Sequence, residues 1–155
     1  KQFSLVFQPQ IDARTRQLIS AEALIRWQKP DYETGKRSFI RPDQFIPVAE
    51  QAGLIVPIGR WVIDEACRFA QQAVTQHGLP PFRVAVNLSG VQMQRDNVVD
   101  LTRQTLKEVG LSPHLLELEV TESAMMKDMD HTSHMLKQLN ELGISVPMLL
   151  GGAAL

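Results

Sequence analysis

In the stretch Ile19-Ser20-Ala21-Glu22-Ala23-Leu24-Ile25-Arg26-Trp27, one acid and one base are set into an otherwise apolar run. Laid out as a strand, it sends Glu22, Leu24 and Arg26 to one side and Ala21, Ala23 and Ile25 to the other. Upstream, Phe3 to Gln10 reads as a strand stopped by Pro9, and a polar turn from Asp12 to Gln17 brings the two strands close enough for a hairpin. Lys29 to Arg37 reads as a polar loop, the most exposed part of the chain.

Beyond that loop the apolar period lengthens to that of a helix. Pro42-Asp43 opens one helix towards Gly53, with Phe45, Ile46, Ala49 and Ala52 on a single stripe. Pro57, in a first turn, opens a second, whose apolar residues Trp61, Val62, Ala66, Phe69, Ala70 and Ala73 run up to Gly78. Phe82 to Leu88 is a short strand, Val99 to Val109 a helix closed by Gly110, and Leu115 to Val120 another strand. Met129 to Leu142 is helical, Gly143 ends it, and Ile144-Ser145-Val146 begins a last strand. From Phe82 onward the order is β-α-β-α-β, with links long enough for helical crossovers. That order predicts an α/β fold, a parallel sheet with helices outside it.

Composition narrows the function classes. A chain of 155 residues with 44% hydrophobic and 21% charged residues fits one globular domain, residues 1–155, and argues against disorder. A formal net charge of -1 supplies no electrostatic footprint for a DNA or RNA duplex. No apolar run approaches the roughly 20 residues of a membrane span, and Lys1-Gln2-Phe3-Ser4 lacks a signal-peptide pattern, so no direct membrane insertion is expected. The lone cysteine, Cys67, fits a reducing compartment. The expected location is cytoplasmic, including the cytoplasmic part of a larger membrane-bound sensor.

In parallel α/β architectures reactive groups collect at the carboxyl ends of strands. Glu22, Asn87 and Glu119 occupy such positions, with Glu122 three residues further on. Two carboxylates and a carboxamide offer only oxygen donors, which suit Mg²⁺ or Mn²⁺. Glu22 and Arg26 lie about four strand rises apart, roughly 13 Å. That is too far for an ion pair, but it suits a ligand held between a carboxylate-bound cation and a guanidinium. Structural readings stand beside these. Glu22 and Arg26 also fit the wet face of a half-buried strand, Asn87 a cap on the next turn, and Glu117 with Glu119 a solvated strand face. His131 and His134, with no third ligand nearby, read as a solvated helix turn. Met125, Met126 and Met129 read as packing residues, and Trp27 and Trp61 as core anchors.

Glu22-Ala23-Leu24 followed by Ile25-Arg26-Trp27 resembles the signature of the EAL-domain family of bacterial cyclic di-GMP phosphodiesterases. The likeness extends through Phe7-Gln8-Pro9, Phe45-Ile46-Pro47-Val48-Ala49-Glu50, Gly53-Leu54-Ile55 and Ile58-Gly59-Arg60-Trp61-Val62. It continues in Val86-Asn87-Leu88-Ser89 and Leu116-Glu117-Leu118-Glu119-Val120-Thr121-Glu122. The resemblance implies a TIM-barrel-like (β/α)8 fold in which one early strand runs antiparallel. It also implies metal-dependent hydrolysis of cyclic di-GMP to the linear dinucleotide, with two Mg²⁺ or Mn²⁺ ions. By the same resemblance Glu22, Asn87 and Glu119 are metal ligands and Arg26 holds a phosphate. Gln8 and Leu24 line the substrate groove, Glu122 supports the metal site, and Glu22, Glu119 and Glu122 form the catalytic carboxylate set.

The tail departs from the family pattern. Where family members carry Asp-Asp-Phe-Gly after the fifth strand, this chain has Leu149-Leu150-Gly151-Gly152. Leu149 and Leu150 thus stand at the two aspartates, one of which bridges both ions in the family. The match is lost after about residue 146, and the family's catalytic lysine and later glutamate have no counterpart. The expectation is an incomplete barrel of about five of eight strands with an aberrant or truncated C-terminal end. Such a chain is an inactive phosphodiesterase domain, or a degenerate module that binds cyclic di-GMP or another protein. An unclosed sheet leaves an edge strand and apolar faces uncovered, so a homo-oligomer or attached regulatory domains are expected as partners. Pro147 is expected to weaken the last strand.

Overall fold

The structure, a computed structural model, describes residues 2–150. Its axis is β2 (Leu18–Pro30), where the alternation takes effect: Ala21, Ala23 and Ile25 are buried against helices, and Glu22, Leu24 and Arg26 stay half-buried on the other face. β1 (Phe3–Ile11) runs antiparallel along β2, placing Gln8 opposite Glu22 and Ser4 opposite Arg26. β3 (Arg37–Ile40) folds back on the far end of β2. The segment read as a free loop is therefore a hairpin tip. Asp31 closes it by accepting from the Glu33 and Thr34 N–H groups and the Thr34 hydroxyl.

The remaining strands add in parallel. α1 (Pro42–Gln51) and α2 (Ile55–Thr75) lead into β4 (Arg83–Asn87), which pairs with β2. α3 (Gly90–Arg95) and α4 (Val98–Val109) join β4 to β5 (Leu116–Thr121), and α5 (Glu122–Met126) and α6 (Met129–Glu141) lead on to β6 (Met148–Leu149). The sheet path is β1-β2-β4-β5-β6, with β3 attached to β2, and the sheet is not closed. The expected antiparallel early strand is β1, and the five strands of the path match the expected portion of a barrel.

One layer of core lies between the sheet and the long helices. Ile63, Ala66 and Cys67 of α2 and Val84, Leu116 and Leu118 of the sheet are fully buried. At one edge the aromatics interlock: Phe7 stacks on Phe69 at 3.6 Å, and Phe3, Trp27 and Phe45 meet at 5.5–5.8 Å. Both tryptophans pack against this core, as expected of anchors. Met126 and Met129, by contrast, are 64% and 61% exposed, so of the three methionines read as packing residues only Met125 meets the core. Among the described residues no helix is long and apolar enough to cross a membrane.

The last strand is interrupted at Pro147, where weakening is expected. Ile144-Ser145-Val146 forms only an isolated bridge, Ser145 to Glu117, and regular pairing resumes at Met148 and Leu149. Val120 N–H donates to the Pro147 carbonyl at 3.2 Å. The return rung of a parallel ladder would need an N–H at position 147, and proline has none. The strand breaks there.

Leu118 has no exposed surface, and truncating it leaves a cavity between sheet and helices. Leu118→Ala is expected to cost about 3 kcal/mol. Urea unfolding should show this as a lower midpoint at unchanged slope.

Candidate metal centre

Strand register brings the candidate ligands together. On the parallel pair β2–β4, Glu22 sits beside Ala85, and on β4–β5, Asn87 sits beside Glu119. Because Ala85 and Asn87 are two residues apart, all three side chains share one face. Asn87 ends β4, Glu119 lies in the second half of β5, and Glu22, in the first half of the longer β2, is near the end of the stretch paired with β4. Asn87 Nδ2 donates to Glu22 Oε1 at 2.9 Å. Its Oδ1 is buried and receives no donor among the described residues. Glu119 is 8% exposed. Its carboxyl is pushed up to about 7, by burial first and then by the negative charges of Glu22 and Glu117. Glu117, one step back on the same face, is not a solvated residue: it pairs with Arg83 at 3.3 Å.

This cluster is rich in acceptors and short of positive charge. Two carboxylates and an orphaned amide oxygen fit a hard divalent cation, which takes oxygen ligands. Among the described residues no group of three or more His, Cys, Asp or Glu is placed to hold a metal, so the uncharged Asn87 is the third donor in such a set.

The other expected residues are distributed as follows. Gln8 is exposed and faces Glu22 across the β1–β2 pair. Leu24 lines a small cavity with Asn87 and Ser89. Arg26 lies further along the same face, its Nη1 donating to the Ile25 carbonyl at 2.9 Å. Glu122 opens α5, is exposed, and makes no hydrogen bond or ion pair among the described residues. It is not joined to the other three. Leu149 pairs with Thr121, two residues past Glu119, and so stands on the site's own face without an oxygen to offer. Sequence reasoning passed over Glu50, which accepts a hydrogen bond from Ser89 at 2.5 Å. Ser89 carried a signal, a hydroxyl directly before a helix start; Glu50 carried none.

The model of the EAL domain matches residues 1–148. The chain belongs to the EAL-domain family. It is 40% identical over 146 residues to the bifunctional diguanylate cyclase/cyclic di-GMP phosphodiesterase MucR of Pseudomonas aeruginosa, covering 94% of this chain and 20% of MucR. To the cyclic di-GMP phosphodiesterase NbdA of the same organism it is 37% identical over 145 residues, 94% of this chain and 18% of NbdA. The chain thus spans about a fifth of the length of these relatives. Among solved structures, the MucR phosphodiesterase in complex with c-di-GMP superposes with a TM-score of 0.80 at 39% identity, over 94% of this chain and 58% of that one. The EAL enzyme Bd1971 with cAMP and cyclic-di-GMP bound gives 0.83 at 25% identity, over 100% and 42%. The EAL phosphodiesterases as a family are metal-dependent.

The raised Glu119 carboxyl sets the pH dependence of stability. Between the ordinary value of 4.5 and about 7, the folded chain keeps a proton that the unfolded chain releases. Stability therefore falls as pH rises through this window. Thermal midpoints measured without divalent cations should drop between pH 5 and 8, and Glu119→Gln should flatten that slope.

Proposed function

We propose that this chain is part of a cyclic di-GMP phosphodiesterase domain that holds Mg²⁺ or Mn²⁺ through Glu22, Asn87 and Glu119 and a phosphate of cyclic di-GMP through Arg26. As it stands the chain binds this ligand without turning it over. The observation that carries the reading is the buried Asn87 Oδ1, an acceptor between two carboxylates with no donor among the described residues. MucR and NbdA, with their named activity, and the c-di-GMP complex of MucR support the choice of ligand.

A bound cation would lower the pKa of a water and offset negative charge on the phosphate. The chain's own residues do the holding. Glu22 and Glu119 supply the charge, and Asn87 is oriented by its bond to Glu22. Arg26 is steadied by the Ile25 carbonyl and keeps further N–H groups for a phosphate. Leu24 and Gln8 flank Glu22 and form the groove wall. Leu149 gives no bridging ligand for a second ion, and on this reading that loss removes turnover. Glu122 supports the region from its place next to Thr121. The open edges at β1 and β6 favour a partner, either a second copy or regulatory domains of a longer protein, and a cytoplasmic setting goes with a nucleotide ligand.

Calorimetry of the chain with cyclic di-GMP in Mn²⁺ should show binding, with no linear dinucleotide released. Arg26→Ala should weaken that binding by about 2 kcal/mol or more, roughly thirtyfold. Leu149→Asp should raise the number of Mn²⁺ ions bound per chain. Turnover by the unaltered chain would refute the claim of inactivity.

A further inference from the structure

Asn87 ends β4, so whatever fixes the corner after it also decides where Oδ1 points. Three contacts converge on that corner. Ser89, two residues on, donates its hydroxyl to Glu50 of α1 at 2.5 Å and caps α3 by accepting from the Val91 N–H at 3.2 Å. Gln92 of α3 is 1% exposed and lies across Gly59 of α2, where a Cβ would stand 1.9 Å from its Oε1. Gly90 meets α5, where a Cβ would stand 3.0 Å from that of Ala124. The corner behind Asn87 thus rests on the corner behind Glu119, and a single carboxylate ties both to α1.

Glu50 is half-buried, and no cation pairs with it among the described residues. Its polar contact there is the Ser89 hydroxyl, next to the segment that carries a candidate ligand. We infer that Glu50 is a positioning residue, holding Ser89 and through it Asn87, so that Oδ1 stays aimed at the cation; this rests on the metal reading proposed above. Hydrogen-bonded groups behind a metal ligand set its orientation, and their loss commonly costs about tenfold or more in affinity.

The test is a set of Mn²⁺ titrations on the full chain. Glu50→Ala and Ser89→Ala should each weaken Mn²⁺ binding about tenfold. Glu50→Gln, whose amide oxygen still accepts from Ser89, should restore most of it. The double variant Glu50→Ala/Ser89→Ala should bind no worse than Ser89→Ala alone, because Glu50 acts through the Ser89 hydroxyl. A tie that only holds helices together would lower the thermal midpoint and leave Mn²⁺ affinity alone. That result, or losses that add, overturns the inference. A second readout needs no cation. In the metal-free chain the side-chain amide protons of Asn87, followed by ¹⁵N NMR, should exchange slowly in the parent and faster in Glu50→Ala. Unchanged exchange overturns the inference as well. Glu22→Gln separates the two claims: if the parent binds no Mn²⁺ that this variant loses, the metal reading fails, and the NMR comparison still decides the role of Glu50.

Discussion

Like charge held at close quarters is the constraint around which this structure is built. Glu22 and Glu119 face one site from strands on either side of β4, and the residue between them, Asn87, satisfies only one. Burial of Glu119 makes the arrangement costlier, which is why its carboxyl holds a proton near neutrality. A domain folding for stability alone would place an apolar residue or a cation there. One step back along the same face it does so, where Arg83 answers Glu117. The unanswered pair is therefore local, and it flanks the carboxyl end of β4.

The fold carries this constraint because its other layer is so apolar. The outer face of β2, with Ala21, Ala23 and Ile25, is closed by α1 and α2, and the small alanines let the helices approach. Each parallel strand then inherits its register from β2, and register alone puts Asn87 beside Glu119. Leu149 inherits its place in the same way, from Thr121, and brings an apolar side chain to the site's face.

Much of this was legible in the sequence because the signals were periodic and long. The alternation in β2, the hairpin with β1 and the crossovers after Phe82 could be read directly. What escaped was short or non-local. β3 has four residues and exists because it pairs with the end of β2. α3 and α5 have six and five residues, too few for a helical stripe to emerge. The final strand is bridged at Ser145 but pairs regularly only from Met148, because Pro147, as expected, lacks the N–H that would continue the ladder. At the site, strand ends pointed to Glu22, Asn87 and Glu119, but the direction of the Asn87 amide depended on register. Glu50 lies 39 residues from Ser89 on a helix whose polar positions look solvated, so no local pattern marks it. Glu122 shows the converse: family resemblance named a role for it, and the described structure joins it to none of the other three.

The central claim concerns one oxygen atom. Crystals soaked in Mn²⁺ and measured at an anomalous wavelength would locate the ion without reference to activity. The account predicts a peak within coordination distance of Glu22, Asn87 Oδ1 and Glu119. A peak elsewhere, or an Asn87 Oδ1 turned to a protein donor with no peak beside it, would contradict it.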